Sequence, residues 1–454
     1  MDMHPAPFRA PAPIPHEEPL GFTGFVVTAV RNPLEVWSAR AYRDPYIVAN
    51  WLKVPTVVLN DPAAIRHVMV DNAKNYAMQP LRQRILRPML RDGLLTAEGA
   101  LWKRTRKALA PVFTPRNIEA FAPVMRQRTE AFAEDLARRG DRNIDAAFQM
   151  TLLTYDILQA TLFSDDIAGE PLEFANAMES FMRRMGRVDP LDLLDAPSFL
   201  PRPTRFFAGR SQRYFRDLIA GTIDRRQALI ARDPAAAPAD FLTLLLKTDG
   251  LSRTEIEDNI ITFIGAGHET TARAVGWTLY LLSQAPEERA KVEDELDRLL
   301  PGLDDPKTWP GQLVHTRAAF EEALRLYPPA PSLNRTALTD DRVGELAIPA
   351  GASVLVMPWL IHRHEALWKD PACFVPARFL PGNREAIDRF QYLPFGIGPR
   401  VCIGQGFAML EGVVILAGLL KTLRFEFRGA RTPRPVQKIT VQPDRGLPMH
   451  VSRR

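Results

Sequence analysis

Cysteine is almost absent. The chain of 454 residues holds two, Cys373 and Cys402. Two cysteines build no disulfide framework, which points to a reducing compartment. No run approaches the roughly 18–20 consecutive apolar residues that a membrane helix needs, so no transmembrane anchor is expected. Gly21 to Val30 is apolar but too short. The Pro-rich N-terminus, Met1 to Pro19, lacks the basic-then-apolar order of a secretion signal. These absences predict a cytoplasmic protein. The net charge of +5 is modest and spread along the chain. With no basic–aromatic pattern, nucleic acid is excluded as a partner. No internal repeat and no low-complexity linker divides the sequence. The expectation is an extended Pro-rich arm over residues 1–20 and one domain over 21–454, acting as a monomer.

What is present is an ordinary globular composition, 46% hydrophobic and 24% charged, interrupted by 40 prolines. Tyr46 to Ala49 and Thr56 to Leu59 read as strands. Asp61-Pro62 reads as an N-cap and first helical residue. Residues 76–95 look loop-like, with Arg82, Arg84, Arg87 and Arg91 among Leu81, Ile85, Leu86 and Leu90. Helical periodicity covers 98–112, 115–139, 144–163, 170–186, 204–232, 240–248, 252–284, 286–300 and about 312–327. Residues 188–203 read as a loop. After residue 330, short apolar runs at 335–338, 346–348 and 353–357 suggest strands. A helix over 403–422 and strands near 424–428, 437–441 and 448–451 close the chain. The fold class is therefore mainly α with a smaller β region.

Three constellations carry chemistry. In Phe395 to Gly404, a Gly/Pro loop presents Cys402 at the start of a helix, where free N–H groups favour thiolate; a structural cysteine in a turn is the alternative. In the longest helix, Ser252 and Glu255 form a capping box, while Gly265-Ala266-Gly267 is poor helix sequence and suggests a kink. His268-Glu269 lacks the second histidine of a zinc motif, because position 272 is Ala. Gly265-x-Gly267 lacks the third glycine and the strand-to-helix context of a dinucleotide motif. Finally, Glu322 and Arg325 lie three apart on a helix that stops at Pro328-Pro329, a spacing that often means a surface ion pair.

Phe395, Gly398, Arg400, Cys402 and Gly404 match Phe-x-x-Gly-x-Arg-x-Cys-x-Gly at every fixed position. This resembles the haem-ligand signature of the cytochrome P-450 family. Ala266 to Thr271 is similar to the family's oxygen-binding groove, Glu322-x-x-Arg325 to its Glu-x-x-Arg helix, and Pro376-Ala377-Arg378-Phe379 to its meander. The resemblance covers about residues 45 to 450. It implies a cytochrome P-450 haem domain with haem b between a long distal helix and the Cys-loop helix. Cys402 would be the thiolate ligand to iron. Trp102, Arg106, Arg335 and Arg400 would hold the propionates, and Ala266 and Gly267 would let the distal helix pass close to the cofactor. Thr270 would hydrogen-bond dioxygen, and Glu269 would connect that network to solvent; His268 would only fill space or hydrogen-bond. A buried Glu322–Arg325–Arg378 network would hold the Cys loop.

The implied activity is haem-thiolate monooxygenation, hydroxylation or epoxidation, of a lipophilic molecule: a fatty acid, terpenoid or steroid-like compound. Its pocket would be lined by 76–95, 174–200, Ile260, Phe263, Ile264, Pro331 to Leu333 and Gly446-Leu447. NAD(P)H would act indirectly, through a reductase and an acidic ferredoxin or flavodoxin docking on Lys103, Arg104, Lys107 and Arg400. A peroxide-using peroxygenase is the alternative enzyme, but its kind tends to lack the Glu269-Thr270 pair. A haem-based gas sensor is the non-enzymatic alternative.

Overall fold

The computed structural model describes residues 6–50, 55–166 and 209–454. The expected helix over 170–186, the loop over 188–203 and the pocket segment 174–200 lie outside them. The organising element is the helix Arg253–Gln284. Ser252 and Glu255 form the expected capping box, with the Ser252 N–H donating to Glu255 Oε2 at 2.7 Å. The helix runs unbroken for 32 residues, through Gly265 and Gly267, where sequence suggested a kink. Packing outweighs the roughly 1 kcal/mol cost of each glycine. A Cβ at Gly267 would come within 3.0 Å of Leu158 Cδ1. Leu158 belongs to the helix Ala146–Phe163, so Gly267 admits a neighbouring helix. There Thr154 Oγ1 also donates to His268 O at 3.1 Å. His268 is fully buried, its Nδ1–H donating to Ile264 O at 2.6 Å, and its ring meets Tyr155 edge-on.

Below this helix lies Gln405–Leu420, whose last eleven residues are all buried. It packs between Ala122–Arg138, Val314–Leu326 and the long helix. Close approach needs small residues here, since a Cβ at Gly412 would fall 2.2 Å from Phe320.

The main sheet has five strands in the order Tyr46–Ala49, Thr56–Leu59, Ser353–Val356, Leu333–Ala337, Tyr76–Met78. Thr56–Leu59 and Ser353–Val356 run parallel and the other pairs antiparallel. Its register sets Arg335 opposite Met78 on one side and Val354 on the other. Asp61 caps Pro62–Arg66 as expected, accepting from Ala64 N at 2.7 Å. Residues 76–95 are not a loop: they form the edge strand Tyr76–Met78 and the helix Pro80–Leu90. Pro88 near the C-terminus of that helix and three arginines disguise its period; Arg91, at φ 45°, ends it. The expected strand near 437–441 is instead a hairpin, Pro435–Gln437 against Val441–Pro443, with 438–440 at its tip.

The Glu322–Arg325 pair is not a surface ion pair. Both side chains are fully buried and joined by two bonds of 2.7 Å. Arg325 also donates to the carbonyls of His362, Pro371 and Cys373, at 2.6, 2.8 and 3.0 Å. Glu322 Oε1 accepts from Val375 N at 2.9 Å and lies 3.4 Å from Arg378 Nε. Leu393 N donates to His362 Nε2 at 2.7 Å, so the other ring nitrogen carries the hydrogen given to Arg325 O at 3.1 Å. Burial and the neighbouring Arg325 hold His362 well below its ordinary value. The ion pair is thereby tied to Leu393, two residues before the cysteine loop.

Candidate active site

The cysteine loop is set by local backbone chemistry. Gly396 and Gly398 take positive φ, 70° and 76°. A Cβ at Gly398 would sit 1.9 Å from the Met69 carbonyl oxygen, so no other residue fits there. The structure thus gives this glycine a reason in the protein's own backbone. Gly404, at φ −89°, is the N-cap of Gln405–Leu420. Cys402 N donates to Phe395 O at 2.9 Å, closing the loop.

Cys402 is accessible because it faces an internal cavity of about 1030 Å³. Burial pushes its thiol up; the Gly404 N–H and the Arg106 charge pull it down. These influences oppose one another at the helix start; a coordinated metal would deprotonate the sulfur outright.

The same cavity is bordered by Trp102, Arg106, Ala266, Gly267, Thr270, Arg335, Phe395, Arg400 and Gly404, so the structure brings these expected residues together. Arg82, left without a role by the sequence, joins them. Arg82 donates to Ser332 O at 3.2 Å and Arg335 to Asn334 O at 3.0 Å. Arg400 lies 4.6 Å over the Trp102 ring, donates to Ala97 O at 2.7 Å and pairs with Glu98 at 3.0 Å. It faces inward and does not belong to the surface cluster with Lys103, Arg104 and Lys107. Burial lowers Arg335 to about 10, helped by the Arg82 and Arg400 charges and opposed by Glu98. Burial likewise lowers Arg82, Arg106 and Arg400. No Asp or Glu among the described residues lines this cavity. It is a basic chamber whose positive charge is only partly matched, by Glu98 beside Arg400.

On the long helix, Ala266 faces the open space and Thr270 Oγ1 donates back to Ala266 O at 2.7 Å. Glu269 points elsewhere. It is buried, accepts from Thr440 Oγ1 at 2.9 Å and lies 3.5 Å from Arg273. Its second oxygen has no hydrogen-bond partner. Thr440, at the hairpin tip, lines the cavity. Glu269 thus meets a cavity-lining hydroxyl rather than solvent. The remaining walls are mostly apolar, with Leu81, Ile85, Leu86, Leu90, Phe263 and Leu333 among them. Ile260 and Ile264 are buried behind the wall, and Gly446-Leu447 does not border it; residues 437–440 do. Leu447 instead packs near Gly276.

Mainly helical architecture with a cysteine-presenting Gly loop, a buried Glu-x-x-Arg pair and a long helix over an apolar chamber defines a class of haem-thiolate enzyme. The chain belongs to the cytochrome P450 family, whose profile matches residues 17–448. It is an oxidoreductase of the cytochrome P450 monooxygenase type. It is 31% identical to cyclooctatin synthase of Streptomyces melanosporofaciens, over 94% of each chain. It is 30% identical to cytokinin hydroxylase of Arabidopsis thaliana, over 90% of this chain and 81% of that one. The crystal structure of the cytochrome P450DA haem domain has the same fold, with a TM-score of 0.80, 24% identity and coverage of 98% of this chain and 99% of that one. The family implies haem. Among the described residues, no helix is long and apolar enough to cross a membrane.

Proposed function

We propose that Cys402 would hold the iron of a haem b in the basic chamber, and that the protein is a monooxygenase whose lipophilic substrate lies against the Thr270 face of the long helix. The observation that carries this reading is one cavity lined by the more exposed of the two thiols, by five guanidiniums, those of Arg40, Arg82, Arg106, Arg335 and Arg400, and by no carboxylate among the described residues. Haem brings two propionates, and buried carboxylates need cationic partners. Trp102, Arg106, Arg335 and Arg400 would hold them, with Arg82 alongside. Phe395, Gly398 and Gly404 shape the sulfur's loop, and Ala266 and Gly267 leave the distal wall low. When bound, a thiolate-ligated haem supplies oxygen activation, because sulfur donation favours O–O cleavage.

The chain's own groups do the rest. The apolar walls exclude water and position a carbon of the substrate. Thr270 offers a hydroxyl at the wall, now satisfied by Ala266 O, that can turn to move a proton. Glu269 stands one hydrogen bond behind Thr440 and would serve the same purpose. A gas sensor would need neither group. The mostly apolar lining supports a lipophilic substrate, a fatty acid, terpenoid or steroid-like molecule.

Electrons would come from NAD(P)H through a reductase and an acidic ferredoxin or flavodoxin. Lys103 and Lys107 are exposed on Gly99–Leu109, the helix whose Trp102 and Arg106 line the chamber. Arg104 is engaged with Glu255. The expected cytoplasmic location, the monomeric state and the division into an N-terminal arm and one haem domain belong to the same proposal. The test is turnover with a ferredoxin–reductase pair, after screening fatty acids, terpenes and steroids for the spin-state shift of the Soret band. Oxygenated product tied to NAD(P)H use supports the reading. Product formed only with added peroxide would favour a peroxygenase.

A further inference from the structure

Counting guanidiniums alone, the chamber carries more positive charge than a haem would neutralise. Arg40, Arg82, Arg106, Arg335 and Arg400 border it. Two of them are matched within the protein, Arg40 by Asp44 at 2.8 Å and Arg400 by Glu98 at 3.0 Å. Arg82, Arg106 and Arg335 form no ion pair among the described residues; Arg82 and Arg335 donate only to the carbonyls of Ser332 and Asn334. A ferric haem with a thiolate ligand is neutral at its centre, because porphyrin and sulfur together balance the iron. Its two propionates would answer two of the three guanidiniums. One positive charge facing the chamber is left, and a charge held away from water without a partner is unfavourable.

The helix that carries Arg82 says which molecule would supply that partner. Trp102 and Arg106 share the helix Gly99–Leu109, and Arg335 stands on the main sheet. Arg82 belongs instead to Pro80–Leu90, whose Leu81, Ile85, Leu86 and Leu90 form part of the apolar wall. Ile85 and Leu86 follow Arg82 by three and four positions and so share its face. Leu90 lies about 12 Å further along the axis. An apolar body can therefore rest along this face with a charged end at Arg82. Arg82 has five N–H groups. One donates to Ser332 O at 3.2 Å, and no other hydrogen bond holds the guanidinium among the described residues. Ser332 borders the same cavity, and its hydroxyl is a second donor.

We propose that Arg82, with the Ser332 hydroxyl, binds the carboxylate of a lipophilic acid, and that such acids are the substrate class. The inference rests on the monooxygenase reading and narrows it. The guanidinium fork and a carboxylate match in geometry as well as charge, which makes this contact stronger than one to a neutral ester or alcohol. Arg82 reads the end of the substrate remote from the reaction, so it sets specificity.

Titration of the haem-loaded protein with dodecanoic acid, abietic acid and the methyl ester of each tests this, read by the Soret spin-state shift and by equilibrium dialysis. The two acids separate a straight-chain from a polycyclic source of the carboxylate. In the wild type at least one acid binds roughly tenfold or more tightly than its ester. Arg82→Gln removes the charge and that margin, while ester affinity and the ratio of Soret to protein absorbance stay as in the wild type. Arg82→Lys keeps the charge without the fork and recovers part of the margin. Ser332→Ala weakens the acid alone, which keeps the test open if R82Q folds poorly. Failure of both acids to bind, esters that bind as tightly as acids, or a margin that survives R82Q would overturn the proposal. So would an R82Q protein that loses haem and weakens acid and ester alike, because Arg82 would then serve a propionate. A wild type without the thiolate spectrum under carbon monoxide would instead overturn the monooxygenase reading beneath it.

Discussion

Cys402 sits under opposed influences: burial favours the thiol, while Arg106 and the Gly404 N–H favour the thiolate. The sulfur's position is set by Gly398, whose missing side chain admits the Met69 carbonyl. Gly398→Ala should therefore lose bound haem, read as the ratio of Soret to protein absorbance. Thr270→Ala removes the hydroxyl on the chamber wall and should uncouple NAD(P)H use from product, with peroxide released; unchanged coupling would count against its role. Glu411 allows a stability prediction with a definite sign. Its folded value, about 8, lies above the ordinary 4.5. The folded state thus binds more protons between these values, and stability falls as pH rises through that window. The wild type should lose up to about 1.4 kcal/mol per pH unit relative to E411Q there, by denaturant titration from acid to mildly alkaline pH. A flat difference would mean that the carboxyl ionises normally.

At the scale of elements, the buried Glu322–Arg325 pair links one helix to four backbone positions of the following meander and, through His362, to Leu393. Removing one partner leaves an unpaired buried charge. Glu322→Ala should cost about 3–5 kcal/mol in unfolding free energy and impair haem retention; a loss below about 1 kcal/mol, typical of surface pairs, would contradict this account.

The same scale shows what could be read from the chain. Ser252 and Glu255, Asp61-Pro62 and the strands Tyr46–Ala49 and Thr56–Leu59 were legible because their signals are local. Pro80–Leu90 was hidden by Pro88 and its arginines, whose placement beside Ser332 depends on contacts about 250 residues away. Local spacing marked Arg400 as basic but did not show that it faces inward. Glu411 looked like any helical glutamate. Only the packing of two distant segments, with Thr271 opposite, makes it a buried acid.

The whole molecule combines a basic, apolar-walled chamber with a cationic outer face on the same helix. If Lys103 and Lys107 steer an acidic electron donor, reversing both to Glu should slow reduction severalfold at low salt, with the difference shrinking as salt is added. A rate insensitive to both changes would place the partner elsewhere. The chamber itself is tested by its sulfur. The reduced, haem-loaded protein should give the thiolate-type Soret band with carbon monoxide, and Cys402→Ser should abolish it while Cys373→Ser leaves it intact. A freshly folded wild-type protein without that band, or a C402S protein that keeps it, would contradict the assignment of Cys402 as the haem ligand.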